Sequence, residues 1–456
     1  MNDKILEKVI GSPAAMLDAT IGTSNKIVVD IGNQHHIKRA REYWKTLGPG
    51  LTTGAADDDP SGIATYSQTG AQYGFQLLWL APMTFPLMAI IQEMCARIGL
   101  VTGRGLAANI RTYYPKWVLY VCTVLLFGAN TLNIGADLGA MAKAAQLLNP
   151  NLNFEFLVLG FAFLSLGLQI FISYEAYAKY LKWLALVLVA YIFSAVSVNL
   201  DYGQLLKNTF VPSITFSKDQ IFLICGILGT TISPYLFFWQ TSQEVEEQIL
   251  EGKTTIKLRQ EETTKKEVKS MRTDVWSGMF LSNLVMFFII AACSVTLFGT
   301  GGVTIETAAQ AAEALRPIAG DNAYLLFAMG IIGTGMLAVP VLAGSASYAL
   351  SESFGWKFGL YRKLKEANAF YGVIILSTLI GLAINFLNLD SIKVLIYSAV
   401  ANGLIAPVIL VLIVLLSSNK KVMGEWVNHP VITLIGWVVT LLMIVAGGAA
   451  IWGMFN

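Results

Sequence analysis

The sequence predicts an all-α polytopic membrane protein made of two inverted five-helix repeats with an eleventh helix appended. Three observations carry this expectation. Of 456 residues, 55% are hydrophobic and only 13% charged, and the apolar residues fall in runs of about 20, the length needed to cross a hydrocarbon core of roughly 30 Å. Basic residues crowd into alternate connections between those runs. Two of the runs, five apart in order, are interrupted by proline and polar side chains.

The apolar segments run over 46–69, 76–98, 116–147, 154–173, 181–199, 219–241, 274–299, 322–350, 370–387, 391–416 and 431–454. Residues 1–43 read as a cytoplasmic tail with no cleavable signal, because no basic stretch leads into a short apolar core and a small-residue cleavage site. Residues 44–456 form one transmembrane domain. With the N-terminus inside, 26 of the 31 lysines and arginines lie in inner segments, the positive-inside pattern. The longest charged connection, 242–273, reads as a solvated, amphipathic or helical cytoplasmic loop. The external connection 300–321 carries a short amphipathic helix. The expected location is a bacterial inner membrane.

Cys95, Cys122, Cys225 and Cys293 lie in or beside apolar runs without CxxC spacing, so no disulfide framework or zinc site is indicated. Glu93 and Arg97, four residues apart on the second span, suit a structural ion pair.

Span 1 contains Gly54-Ala-Ala-Asp57-Asp58-Asp59-Pro60-Ser61-Gly62. A charge facing lipid at that depth costs roughly 3 kcal/mol or more, so three adjacent carboxylates imply a use. Proline removes a backbone donor and clashes with the carbonyl four residues back, which marks a helix break. Span 6 carries Gly229-Thr230-Thr231-Ile232-Ser233-Pro234, a second break on the same grounds. Corresponding interruptions in two halves point to a midplane binding site in which unwound carbonyls coordinate a cation.

The block Gly48-Pro49-Gly50 through Asp59-Pro60, followed by Gly70-Ala71-Gln72-Tyr73-Gly74, resembles the first span of the NRAMP divalent-metal transporters. Span 6 is similar to that family's second half-site. The resemblance implies a LeuT-like fold and metal transport, and it aligns Asp59 and Pro60 with the family's metal aspartate and its proline. The departures are directed. The family's glycine and asparagine become Ser61 and Gly62, its methionine becomes Ser233, and its two span 6 histidines become Tyr235 and Gln240.

Without the soft thioether, the expected ligand set is all oxygen: Asp59, Asp58, Asp57, the freed carbonyl of Ala56, Thr230 and Ser233. Such a set suits Mg²⁺ first and Mn²⁺ second. This resembles the NRAMP-related magnesium transporters, a branch that lacks the methionine, and the smaller Gly62 and Ser233 are expected to leave room for a hydrated ion. Adjacent helical residues point about 100° apart, so the three aspartates converge only if the break rearranges them. For Asp57 and Asp58 the competing role is capping loose backbone, lining a water path or sitting protonated. For Thr230 and Ser233 it is bonding backbone carbonyls. Tyr235, Gln240, Asp137, Asn133, Asn402 and Gly62 are pathway candidates. Asn130, Asn133 and Asp137 share a face of span 3.

His35, His36 and His429 all lie outside the spans, so no intramembrane imidazole relays protons near neutral pH. Uptake with weak or no proton coupling follows as the expectation. The alternatives are a proton-coupled manganese or transition-metal transporter of the same family, and a sodium-coupled organic-solute symporter of the same fold. An anionic solute would be repelled by this acidic core. A passive channel also stays open, since saturable flux without unitary conductance is what would separate it from a carrier. An enzyme is not indicated, since neither HExxH nor GxSxG occurs in a suitable setting. No cofactor, nucleic acid or obligatory protein partner is indicated. The expected partners are the transported divalent ion and the bilayer.

Overall fold

The structure is a computed structural model that describes residues 47–172, 193, 201–298, 304–316, 320, 323–387 and 389–455. The predicted tail and most of the predicted fifth span lie outside the described residues.

Two prolines decide the shape of the first span. Helix α1, Pro49–Asp57, ends at a bend at Asp58, and α2, Pro60–Tyr73, restarts with Pro60 in its first turn. Proline suits that place because its missing N–H would be unpaired there anyway. Gly74, at φ +54°, closes α2 in a conformation that glycine adopts without strain. A 3₁₀ turn over Gly74–Leu77 then carries the chain into α3, Leu80–Thr102, so the second span begins and ends about a turn later than expected. A short helix α4, Leu106–Tyr113, lies between α3 and α5, Lys116–Leu148; α6 follows over Phe154–Phe171 and α7 over Tyr202–Phe210.

The second half repeats the plan. Helix α8, Lys218–Thr231, breaks at Ile232 and Ser233, and α9, Pro234–Leu250, restarts on Pro234. Next come α10, Ile256–Glu261, and α11, Lys265–Thr296. The expected charged loop 242–273 is therefore mostly helix. Glu244 and Glu246 in it are buried, because α9 runs on past the expected span end among its neighbours. A short α12, Ala308–Ala312, sits in the connection where a short helix was expected, ahead of α13, Ala323–Phe354, α14, Asn368–Ile384, and α15, Ser391–Ser417. Helices α16, Lys420–Met423, and α17, Pro430–Phe455, complete the chain.

Nine described helices, counting α8 and α9 as one crossing, are long and apolar enough to span a membrane. The first span, broken in the same way, falls outside that count because Asp57, Asp58 and Asp59 stand together in its middle.

The packing obeys the exchange of halves. Spans 1 and 7 pack as α1 and α2 on α11, and their counterparts, spans 6 and 2, pack as α9 on α3. Span 3 packs on span 8, α5 on α13, a pair the exchange maps onto itself. Spans 3 and 4 are matched by spans 8 and 9, as α5 on α6 and α13 on α14. Both halves thus bury their broken helix against the same kind of neighbour.

Glycines set the closest crossings. A Cβ on Gly54 would stand 2.3 Å from the Gly278 carbonyl oxygen, and one on Gly278 would stand 2.1 Å from that of Gly50. Helices α1 and α11 therefore meet backbone to backbone, the close approach that small residues four apart permit in membranes. Gly229 and Gly403 do the same for α8 and α15.

The predicted Glu93–Arg97 pair is present at 3.6 Å, but it is the weaker part of a larger cluster. Arg272 approaches Glu93 at 2.8 Å, and the Trp276 indole N–H donates to the other carboxylate oxygen at 2.8 Å. A single carboxylate thus ties α3 to α11.

Candidate functional site at the two helix breaks

The first break exists because Asp59 leaves the helix for an extended backbone, φ −65° and ψ 170°, and caps the helix that follows. Its Oδ1 accepts the Gly62 N–H at 2.7 Å and the Ser61 hydroxyl at 2.6 Å. Its Oδ2 accepts the Asn133 amide at 2.7 Å, which joins the break to span 3. A carboxylate oxygen offers about two lone-pair directions. Oδ1 is thereby filled and Oδ2 keeps one.

Asp58 is the opposite case. It is 1% exposed and neither carboxylate oxygen has a hydrogen-bond partner. Asp57, equally buried, accepts the Ser282 hydroxyl at 2.6 Å on Oδ2 and leaves Oδ1 free. The capping role weighed against ligation for Asp57 and Asp58 is taken by Asp59, because the proline after it places its carboxylate over the new helix start.

The second break lies across from the first. A Cβ placed on Gly62 would meet the Thr230 hydroxyl oxygen at 3.1 Å, the Asp57 carbonyl at 3.2 Å and the Tyr66 ring at 3.4 Å. The space beside Gly62 is therefore already lined, and the room for water expected there is not open in this conformation. The Thr230 hydroxyl is buried without a partner. Ser233 takes the competing role weighed for it, since its hydroxyl donates back to the carbonyls of Gly229 at 2.7 Å and Thr230 at 2.6 Å. The Tyr235 hydroxyl donates to the Ala56 carbonyl at 2.8 Å, so one lone pair of that oxygen is taken.

Around this centre, Asp137 is fully buried with both oxygens unpartnered. Asn130, on the same face of α5, turns away and donates to the Leu342 carbonyl at 2.9 Å. Asn402 precedes the Gly403 crossing and its buried amide has no partner. Among the described residues no group of three or more Asp, Glu, His or Cys side chains stands ready to hold a metal ion. The buried orphan atoms are instead carboxylate, hydroxyl and amide oxygens from several helices. Leaving each unmade costs roughly 1–3 kcal/mol.

The side of α1 away from the break is tied down. The Asp274 carboxylate accepts the N–H groups of Gly50 at 2.7 Å and Leu51 at 3.1 Å, where the positive end of the α1 dipole favours an anion. Thr53 donates to Gln240 at 2.6 Å, and Gln240 donates on to Glu244 at 2.9 Å. On the α2 side a cavity of about 20 Å³ lies beside Ile63, Ala64 and Ser67, room for one water. Sequence reasoning missed Ser282 and Asp274. Neither carries a local signal, since both act on residues more than 220 positions away.

Two helices broken at buried oxygen-bearing residues, in matching places of an inverted repeat, define an integral membrane protein of the LeuT-like fold. The Nramp family model, natural resistance-associated macrophage protein-like, matches residues 50–453, and the chain belongs to that family. It is 26% identical over 422 residues to a divalent metal cation transporter MntH of Deinococcus radiodurans, covering 91% of each chain. The crystal structure of an Eremococcus coleocola manganese transporter, in complex with an aromatic bis-isothiourea substituted compound, superposes with a TM-score of 0.68 at 18% identity, covering 91% of this chain and 89% of that one. MhsT in complex with L-phenylalanine superposes with a TM-score of 0.54 at 13% identity, covering 89% and 98%. At these identities the two structures speak for the fold.

Proposed function

We propose that this chain imports a hard divalent metal ion, Mg²⁺ first and Mn²⁺ second, by alternating access with weak or no proton coupling, and with its N-terminus on the cytoplasmic side. The observation that carries the reading is the set of buried oxygens at the two breaks, with no sulfur or imidazole among them. Asp58, the open lone pair of Asp59, Asp57 and Thr230 offer it the hard donors that Mg²⁺ and Mn²⁺ accept. With one or two carboxylates in direct contact, the remaining positions go to water, as Mg²⁺ commonly requires. Family membership and the names of the curated relatives support metal as the cargo.

The way α1 is held supports alternating access. Asp274 fastens its first turn, Gln240 its middle and Tyr235 its last turn at the break, so release inward requires those bonds to part while Asp59 keeps α2 capped. Glutamine cannot carry charge as the family's histidine does, so a proton is not obliged to move with the ion. Proteoliposomes loaded with a pH dye test the coupling. Saturable Mg²⁺ uptake driven by membrane potential without lumenal acidification is the expected result, and acidification that tracks metal entry would refute uncoupled transport.

A further inference from the structure

A second cavity, of about 530 Å³, lies far from the breaks, among the ends of α9 and α13, the short helix α4, the start of α10 and the connection after α13. Arg104, Arg111, Arg259, Lys357 and Arg362 line it, with Glu352 as the one acidic lining residue. The Glu352 carboxylate is committed elsewhere, accepting the Ala108 N–H at 3.0 Å and the Ser242 hydroxyl at 3.1 Å. None of the five cations makes an ion pair within 4.0 Å among the described residues.

A positive-inside topology explains why basic residues lie in these connections, but it asks only for charge and not for burial. Here Arg259 is buried and Arg104 and Arg362 are half-buried, while Arg111 and Lys357 stay exposed at the rim. Arg259 is 6% exposed, with its guanidinium fixed by the carbonyls of Gly103 at 3.1 Å, Lys253 at 2.9 Å and Thr254 at 3.2 Å. Arg362 lies 4.8 Å over the Tyr361 ring, and Arg104 donates to Thr112 at 3.1 Å. The Nε–H groups of Arg104 and Arg362 are buried and have no acceptor. Arg111 donates to the Glu352 backbone carbonyl at 3.3 Å, and the like charges gathered around this recess repel one another until an anion joins them. The guanidinium fork matches phosphate oxygens in pairs.

We infer that this cavity is a binding site for a multiply charged phosphate-bearing anion, either a phospholipid headgroup or a soluble polyphosphate. Its volume is in the range of small-molecule sites, and basic recesses at helix ends are where anionic headgroups settle. The site spans α4, α10 and the far end of α9, the helix that starts at the second break. A bound anion therefore fastens the inner end of α9 to its surroundings. The inference is independent of which metal is carried.

The test uses the full-length protein, with EDTA present so that no metal–phosphate complex contributes. In a neutral detergent, calorimetric titration with sodium tripolyphosphate reads the soluble source. In nanodiscs of phosphatidylcholine with or without phosphatidylglycerol, the melting temperature reads the lipid source. Wild type should respond in at least one arm, and the response should weaken about tenfold between low and high salt as exposed charges are screened. Arg104→Gln with Arg362→Gln should weaken it by about tenfold or more, the loss expected for two charge-assisted contacts. Lys257→Gln, an exposed neighbour paired with Glu261 at 3.8 Å, should leave it unchanged. Lys357→Gln, at an exposed position, gives the same direction of change if the double variant does not fold. Tripolyphosphate binding assigns a soluble ligand, and a response only to phosphatidylglycerol assigns a lipid. No response in either arm, or one that survives these substitutions, overturns the inference.

Discussion

The Tyr235 hydroxyl donates to the Ala56 carbonyl at 2.8 Å, so the first turn of α9 holds the last turn of α1. This bond joins the two breaks directly. Tyr235→Phe removes it and keeps the ring. A buried hydrogen bond is worth about 1 kcal/mol, a shift of about fivefold in the ratio of open to closed inner states. The rate of thiol labelling of Thr53→Cys from the side of the N-terminus should rise by that order. The native cysteines do not confuse the reading, because all four are buried. An unchanged labelling rate would mean that the bond does not hold the gate.

The α1–α11 crossing predicts intolerance of bulk. Gly54→Leu must push its side chain into the Gly278 backbone, where even a Cβ would be 2.3 Å from the carbonyl oxygen. Overpacking at a rigid contact costs about 1–3 kcal/mol or more, so the melting temperature in detergent should fall by several degrees. Gly128→Leu, at a position with nothing within 4 Å of a Cβ, is the control expected to be neutral. Equal melting temperatures for the two would show that the crossing is looser than these distances indicate.

How much of this was legible beforehand divides by range. The breaks were readable because Pro60 and Pro234 act on their own backbone, and the repeat was readable because the breaks are five spans apart. The GxxxG spacing of Gly50 and Gly54 was also present in the chain, though its partner Gly278 was not identifiable. The division of labour among the aspartates was not legible. Pro60 makes Asp59 the cap, but which carboxylate stays free depends on Asn133 and Ser282, brought in from spans 3 and 7. The covering of Gly62 by Thr230 is likewise a tertiary fact. So is the strength of the Arg272 contact to Glu93, which sequence spacing had assigned to Arg97 alone.

That cluster yields a coupling measurement. Glu93→Gln leaves Arg97 and Arg272 without their carboxylate. Arg272 is half exposed, so screening reduces its share, and a loss of about 1–2 kcal/mol is expected rather than the larger cost of a fully buried pair. In a double-mutant cycle with Arg272→Gln, the coupling should come out at about 0.5–1 kcal/mol by thermal or denaturant unfolding. Strict additivity would show that the 2.8 Å contact contributes nothing.

The central claim is that the carboxylates at the first break hold the transported ion. Asparagine at position 59 can still accept the Gly62 N–H, since Asn and Asp cap helices about equally well, so Asp59→Asn separates charge from architecture. Asp58→Asn removes the carboxylate with no partner at all. The most direct measurement is uptake of Mg²⁺, Mn²⁺ and Ca²⁺ into proteoliposomes by wild type, Asp58→Asn and Asp59→Asn at matched protein content and melting temperature. The account predicts saturable Mg²⁺ and Mn²⁺ uptake by wild type and a loss of about tenfold or more in both variants, as removal of a charged ligand implies. Uptake by both variants equal to wild type would contradict it.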